Sequence, residues 1–134
     1  MTSVTIPNSV TRIGDNAFAI CSDLTFITFP NSVTSIEDYA FNSCTCLNEV
    51  TIGSGVTSIG QSAFCGCSGL TSVTIPNSVL GIGKDAFFNC SNLTDIIYEG
   101  TLTEFDEIVF GNDAFCEGVD IHCTDGDITY NINF

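Results

Sequence analysis

The sequence repeats with a period of 23 residues, four times in succession and without a gap. The repeating units are residues 6–28, 29–51, 52–74 and 75–97. A fixed period in the twenties is typical of a solenoid, in which each coil buries its apolar side only against the neighbouring coils. We therefore predict a right-handed parallel solenoid that grows by stacking, not a core enclosed by unrelated elements.

Six positions of the unit hold the same residue in all four copies, beginning with Val10, Ile13 and Ala17 in the first copy. The other three columns are Phe18, Phe41, Phe64 and Phe87; Leu24, Leu47, Leu70 and Leu93; and Cys21, Cys44, Cys67 and Cys90. Residues at the same point of stacked coils form ladders, so these columns predict the core. Each buried Phe or Leu side chain contributes roughly 1.5–3 kcal/mol to stability.

Within each unit, the pattern Leu-x-x-(Ile/Val)-x-(Ile/Phe/Tyr) ends in apolar residues that alternate with period two. This alternation predicts a short strand, and a proline such as Pro7 ends it in three of the units. The segment Val-Thr-x-Ile predicts a second short extended piece, and x-x-Ala-Phe-x-x-Cys predicts one helical or 3₁₀ turn capped by an aspartate such as Asp38. The expected fold class is therefore β-rich or α+β, with short parallel strands and one helical turn per repeat.

The chain carries 16 acidic residues and two basic ones, Arg12 and Lys84, for a net charge of −14. A surface of this charge is repelled by phosphate backbones and by anionic membranes, so we expect no nucleic-acid partner. No apolar run reaches the roughly 18 residues of a membrane span, so no membrane insertion is expected. The partners that this charge permits are neutral, basic or bridged to the chain by cations.

Ten of the acidic residues lie in 95–134. We predict a solenoid over 1–97, with a partial first repeat at 1–5, and an acidic C-terminal cap over 98–134. The cap is expected to hold a helical piece near 103–109 and extended segments near 119–123 and 128–134. The N-terminus lacks the basic and apolar stretches of a signal peptide. Because the chain starts inside a repeat, a truncated array without an N-terminal cap is expected.

The full unit, I-P-x-S-V-x-x-I-G-x-x-A-F-x-x-C-x-x-L-x-x-V-T, resembles the BspA-type subclass of leucine-rich repeats in all four copies. Residues 98–101 (Y-E-G-T) and 121–126 (I-H-C-T-D-G) are similar to the C-terminal caps of bacterial members. The resemblance implies a bacterial protein that is secreted or held at the cell surface. It also implies adhesion or protein binding, without catalysis and without a cofactor.

The outward positions of the predicted strands vary between repeats, and variation on a regular scaffold is where a solenoid expresses specificity. The expected ligand-binding residues are Phe26, Thr28, Glu49, Thr51, Ser72, Thr74, Asp95 and Ile97. An exposed Phe and Ile among polar residues resemble a small recognition patch with an aromatic anchor. The alternative interpretation is that isolated exposed apolar residues are ordinary at protein surfaces.

Eight cysteines are present, and the four in the ladder are expected to be unpaired apolar filler. A ladder does not converge on one point, so these cysteines do not predict a metal site. Cys116 and Cys123 are the best candidates for a disulfide in the cap.

His122 is the only histidine, and we interpret it as a residue of the cap. Neighbouring strand residues point to opposite faces, which disfavours a catalytic pair with Cys123 and leaves Cys116 as its remaining partner. Asp120, Asp125 and Asp127 are a weak calcium candidate, against the simpler interpretation of an acidic turn. No convergent catalytic set is evident, so an enzyme is not expected.

These observations predict a non-catalytic module that binds a protein or glycan partner through the outward strand face. The alternative is a structural protein that self-assembles through the N-terminal edge at 2–6 and forms homo-oligomers, because an unpaired edge strand is a template for pairing.

Overall fold

The computed structural model describes residues 2–130, which form two sheets and one short helix. The larger sheet contains β1 (Thr2–Thr5), β3 (Leu24–Thr28), β5 (Glu49–Thr51), β7 (Ser72–Pro76), β9 (Asp95–Glu99), β11 (Asp120–Cys123) and β12 (Gly126–Thr129), in that order. The smaller sheet contains β2 (Arg12–Ile13), β4 (Ser35–Ile36), β6 (Ser58–Ile59), β8 (Gly81–Ile82) and β10 (Val109–Phe110). Helix α1 spans Leu102–Asp106.

Each coil contributes one strand to each sheet, and the strands of successive coils pair in parallel. Equivalent residues of the repeat face each other: Val50 pairs with Val73, and Val73 pairs with Ile96. This register confirms the predicted parallel solenoid, in which one repeat forms one coil. At the far end, β12 pairs antiparallel with β11, so a hairpin completes the larger sheet.

The third side of each coil consists of successive tight turns, where one helical or 3₁₀ turn was expected. The Ala17 N–H donates to the Gly14 carbonyl, but Asn16 lies in the left-handed region with φ 59°. The same left-handed conformation recurs at Tyr39, Ser62 and Asp85 and stops a helix from forming. Every second N–H group of this side points along the solenoid axis instead. Asn16 donates to the Asp38 carbonyl of the next coil, at 3.1 Å.

The aspartate that was predicted to cap the turn instead forms a hydrogen bond to the next coil. The Asp38 carboxylate accepts a hydrogen bond from the Gln61 N–H at 2.8 Å, across 23 residues of sequence. The side chain therefore joins two coils and does not cap a helix of its own.

The repeated apolar columns fill the space between the two sheets and the turns. The rings of Phe18, Phe41, Phe64 and Phe87 stack nearly parallel, with centroids 5.0–5.2 Å apart. Phe41, Phe64 and Phe87 are fully buried, whereas Phe18 is only partly buried. The first coil is covered on one side by the described residues, which explains the difference.

A fifth coil follows the four regular ones. Phe115 stacks on Phe87 with centroids 5.5 Å apart, and β10 pairs with β8 in the smaller sheet. Phe115 follows Phe87 by 28 residues instead of 23, and the extra chain includes α1. Residue 97 therefore remains our proposed end of the regular 23-residue repeats. The stacking of coils continues beyond it, into the proposed cap.

Helix α1 begins with a capping box. The Thr101 hydroxyl accepts from the Glu104 N–H at 3.1 Å, and the Glu104 carboxylate accepts from the Thr101 N–H at 3.0 Å. Phe105 of this helix is buried against the core. Helix α1 and β11 lie close to the helical and first extended segments that the sequence predicts. The last predicted segment overlaps β12, and its residues 131–134 lie outside the described residues.

Candidate binding face on the larger sheet

The solvent-facing side of the larger sheet, which we call the outer face, carries two columns of side chains. They are Ser3, Phe26, Glu49, Ser72, Asp95 and Asp120 in one column, and Thr5, Thr28, Thr51, Thr74, Ile97 and His122 in the other. The intervening residues, such as Ile27 and Val73, point inward and are buried, as strand geometry requires. All eight residues of the expected binding face therefore lie side by side on this surface.

Phe26 is the most prominent apolar group of the outer face, with 54% of its surface exposed. It stands between two shallow hollows. The first has a volume of about 270 Å³ and is lined by Phe26, Phe29, Thr51, Gly53 and Glu99, among others. The second has a volume of about 400 Å³ and is lined by Thr25, Phe26, Cys46, Asn48, Glu49 and Gly69.

The lining of the first hollow includes a residue at which the third unit departs from the repeat. Gly53 occupies the position that proline holds in the other three units, as at Pro30. A Cβ at Gly53 would lie 3.0 Å from the Phe29 Cβ and 3.1 Å from the Pro30 carbonyl oxygen, so larger residues meet resistance there.

Ile97, the second apolar residue of the expected face, is 43% exposed. It pairs with Thr74 in β7 and with His122 in β11. Three strand spacings of ~4.8 Å separate its coil from that of Phe26, or about 14 Å. The two residues are therefore separate apolar points with polar residues between them, not one continuous patch.

His122 joins the outer face, where it lies between two carboxylates. Its Nε2 is 2.8 Å from Asp95 Oδ1, and its Nδ1 is 3.2 Å from Asp127 Oδ1. Two hydrogen bonds raise the pKa of His122 above its usual value. The bond to Asp95 is the larger cause, and the bond to Asp127 is the smaller one. The His122 and Thr94 hydrogen bonds lower the pKa of Asp95. Because these groups are partly exposed, the ion pairs are weak.

Sequence reasoning did not find this cluster, because Asp95 and His122 lie 27 residues apart. Their meeting depends on the parallel pairing of β11 with β9, which places Asp120 beside Asp95 and His122 beside Ile97. The local signal was Ile121 between two polar residues, which is typical of a strand with one buried face.

The outer face is acidic, and its described residues include neither lysine nor arginine. Arg12 lies on the smaller sheet, 4.0 Å from Glu37, and Lys84 lies on the turn side. His122 is thus the only described residue of the outer face that can carry a positive charge.

The three aspartates of the calcium candidate face three different partners. Asp120 accepts from the Thr129 hydroxyl at 3.0 Å, and Asp125 accepts from the Leu102 N–H at 2.8 Å. Asp127 faces His122. Within residues 2–130, no three side chains of His, Cys, Asp or Glu are grouped as metal ligands.

The cysteine ladder is held by hydrogen bonds between coils. The thiols of Cys44, Cys67 and Cys90 donate to the carbonyls of Phe18, Phe41 and Phe64, at 3.0, 3.2 and 3.1 Å. Burial raises the pKa of the Cys44 thiol to about 11 and also raises the pKa of Cys116 and Cys123.

All eight cysteines are free, so the candidate disulfide between Cys116 and Cys123 is absent. Cys116 continues the ladder, since its thiol donates to the Phe87 carbonyl at 3.4 Å. This position also separates it from His122, whose ring is held by carboxylates on the outer face. The remaining Cys/His arrangement is therefore absent as well.

A parallel solenoid of leucine-rich coils, with one regular sheet face open to solvent, defines the general class of leucine-rich repeat proteins. The chain belongs to the BspA-type family: the profile described as BspA type leucine rich repeat region matches residues 1–117 in six copies. A search of curated proteins finds no sequence match to the chain.

Solved structures agree with this class. A leucine-rich cell surface protein from Faecalibacterium prausnitzii A2-165 is 37% identical, with a TM-score of 0.78 over 81% of this chain and 29% of its own. A leucine-rich repeat protein from Eubacterium ventriosum is 30% identical, with a TM-score of 0.71 over 75% of this chain and 27% of its own. The chain thus spans less than a third of either relative. Among the described residues, no helix has the length and apolar character needed to cross a membrane.

Proposed function

We propose that the chain is a non-catalytic protein-binding module that recognises its partner through the outer face. The observation that carries this proposal is Phe26, an exposed aromatic side chain between two hollows on an otherwise regular scaffold. Aromatic anchors that enter or border hollows contribute much of the binding energy at protein interfaces. The side chains around it, Thr28, Glu49 and Thr51, supply the polar rim.

We further propose that the module acts in adhesion at a cell surface or outside the cell. Support comes from the leucine-rich cell surface protein of F. prausnitzii, which shares the fold and 37% of the aligned residues. Because the chain covers 29% of that protein, the setting is inferred from a related segment and not from a whole relative.

The test is a selection of binding sequences from a displayed library of random peptides, using the chain as bait. Selected peptides are then measured against a double variant of the outer face, F26S with I97T. The matched control is L80S with V109T, which replaces an apolar residue next to the smaller sheet and one within it, 65% and 74% exposed, by polar ones. Circular dichroism verifies that each variant is folded.

We expect the outer-face variant to weaken binding by roughly 30-fold, since truncating an anchor side chain costs about 2 kcal/mol or more. The control is expected to bind as the wild type does. Equal losses in both variants, or a loss confined to the control, would show that the outer face is not the binding site. Glycans are the competing ligands, and binding on a glycan array that depends on Phe26 would replace peptide by sugar in the proposal.

A second candidate function is self-association through the N-terminal edge. Within the described residues, β1 pairs on one side only, and a hollow of about 270 Å³ lies among Val4, Ile6, Val10, Ile13 and Phe18. Such an edge can pair with another strand, and a charge on it blocks that pairing.

Light scattering over a range of protein concentrations tests this candidate. Self-association predicts a mass that rises with concentration and returns to the monomer value in V4K. The exposed-site variant T57K on the turn before the smaller sheet serves as the charge control. A constant monomer mass in the wild type would eliminate this candidate.

A further inference from the structure

We infer that the outer face takes an extended polypeptide segment that places two basic side chains on either side of Phe26, one in each hollow. The inference rests on the proposed protein-binding function and names the chemistry of the partner.

The two hollows share the same construction. Phe26 forms a wall of each, Glu99 lines the first, and Glu49 lines the second. The side chains of Lys and Arg combine an aliphatic stem with a charged head. In the second hollow the stem can pack on the ring of Phe26 while the head reaches Glu49, which is one strand away. In the first hollow the head points toward Glu99, which lies on β9, three strands from Phe26. A cation near an aromatic ring adds a favourable contact.

The sizes of the hollows favour single side chains over a whole small-molecule ligand. Their volumes of about 270 and 400 Å³ lie at or below the lower end of the ~300–1,000 Å³ of ordinary ligand pockets. Both are shallow and border the same residue. An extended chain that crosses Phe26 along β3 can therefore enter both with alternate side chains.

The charge of the surroundings selects a basic segment over an acidic one. Glu49 and Glu99 form no ion pair or side-chain hydrogen bond with the described residues, so both carboxylates are available to a partner. No lysine or arginine lies among the described residues of the outer face. With a net charge of −14, the whole chain also attracts a basic partner and repels an acidic one.

Two synthetic peptides test the inference by fluorescence anisotropy. Each is about nine residues long, or about 30 Å when extended, with a Leu in the middle and mostly Ser and Thr around it. One carries an Arg on each side of the Leu, and the other carries Glu at the same two places. The protein variants are E49Q/E99Q, which removes the two carboxylates, and E107Q/E117Q, which removes the same charge from exposed sites in the cap.

We expect the Arg peptide to bind the wild-type chain and the Glu peptide not to bind. Binding is expected to weaken roughly 10-fold or more in E49Q/E99Q and to change by only about 2-fold in E107Q/E117Q, because close charges matter more than net charge. Equal losses in the two variants would mean attraction by the general field only. That result, or failure of the Arg peptide to bind, would overturn the inference.

The failure of this inference is distinguishable from the failure of the proposed function. Peptides selected from the random library that depend on Phe26 but carry no basic residues, and that bind E49Q/E99Q normally, would leave the binding face standing and remove the basic partner. Binding that depends on neither Phe26 nor the two glutamates would remove both.

Discussion

Single residues of the turn side adopt a conformation that most side chains avoid. Eight non-glycine residues within 2–130 have φ between 54° and 61°, and most of them are Asn, Asp or Ser, which tolerate it. Ile20 is the exception in its column, where the other coils have Ser43, Gly66 and Asn89. A β-branched residue at φ 61° is strained, and 74% exposure of Ile20 gives it little packing in return.

The first prediction follows from this strain. I20N should raise the free energy of unfolding by about 1 kcal/mol, because Asn accepts the left-handed conformation more easily. Urea unfolding measures the effect. T11N, which introduces Asn at an exposed site with ordinary φ, should change stability by no more than about 0.5 kcal/mol. Unchanged or lower stability of I20N would contradict the argument.

The second prediction concerns the pH dependence of His122. Since its pKa is raised, its contribution to stability is complete below the ordinary value of 6.5 and is lost as pH rises through the folded-state pKa. The lowered pKa of Asp95 makes its contribution complete above 3.8 and lost as pH falls. The stability difference between wild type and H122N should therefore be largest between pH 3.8 and 6.5.

Urea unfolding across that pH range gives the difference, and NMR titration of the histidine ring gives its pKa directly. D95N should lower the His122 pKa more than D127N does, because the Asp95 contact is shorter and is the larger cause of the shift. A wild-type pKa at or below 6.5 would contradict the observed geometry.

At the scale of the element, the coil is the unit of packing, and the ladders join one coil to the next. The Phe rings lie within 5.0–5.2 Å of each other along the regular repeats, and buried thiols bond to the carbonyls of the preceding coil. A residue in the middle of a ladder has neighbours on both sides. Residues of the first coil have described neighbours on one side only.

The third prediction compares the middle and the edge of the Phe ladder. F64A should lower the free energy of unfolding by about 3–5 kcal/mol, the usual cost of emptying a buried Phe site. F18A should cost clearly less, because Phe18 is only partly buried and stacks on one ring, Phe41. Urea unfolding of both variants gives the comparison, and equal losses would show that the edge is as tightly packed as the centre.

The fourth prediction concerns the reactivity of the thiols. Cys46 is exposed, whereas Cys44 and Cys67 are buried with raised pKa values. A thiol reagent should therefore modify Cys46 first in the folded chain and reach the ladder only on unfolding, since the thiolate is the reactive form. Mass spectrometry of the modified peptides gives the order, and all eight should react in denaturant. Labelling of Cys67 as fast as Cys46 would contradict the buried ladder.

The sequence predicts features that each repeat determines by itself, and it does not predict features that depend on contacts between distant residues. The Phe and Leu columns were predictable because each copy of the unit places the same residue in the same surroundings. The sequence analysis assigns the fifth coil to the cap because an insertion shifts Phe115 out of the 23-residue period, although Gly111, Asp113, Ala114 and Phe115 match the earlier units. The turns were interpreted as one helical or 3₁₀ turn because left-handed residues such as Tyr39 are set by bonds between coils, not by local preference.

The candidate site likewise combines features that the sequence predicts with features that depend on contacts between coils. The alternation of the strands predicted which side chains, Phe26 and Ile97 among them, share the outer face. The hollows beside Phe26 and the contact of His122 with Asp95 depend on the packing of different coils, which no local pattern encodes.

At the scale of the whole molecule, the main electrostatic feature is a large excess of negative charge. The 134 residues include 16 acidic and two basic ones. Like charges on a compact chain repel one another, and unfolding relieves the repulsion by spreading them apart. Added salt screens these interactions, since the Debye length falls from about 30 Å at 0.01 M to about 8 Å at 0.15 M.

The fifth prediction is that sodium chloride stabilises the chain over this range of concentration. The melting temperature, followed by circular dichroism, should rise as the salt concentration increases from about 0.01 to 0.15 M. The same concentration of a neutral sugar serves as the control and should have little effect. A melting temperature that falls with salt would mean that attractive ion pairs outweigh repulsion.

The direction of the hydrogen bonds between coils has a mechanical consequence. On both sheets, and at every second residue of the turn side, backbone hydrogen bonds join one coil to the next and lie along the solenoid axis. A force applied to the two ends of the array loads the coil–coil contacts in series, so the weakest contact opens first while the others hold. Each regular coil that peels away releases 23 residues, or about 75 Å of extended chain. Under load the molecule should lengthen in steps of one coil, as a tether that absorbs a pull by yielding gradually.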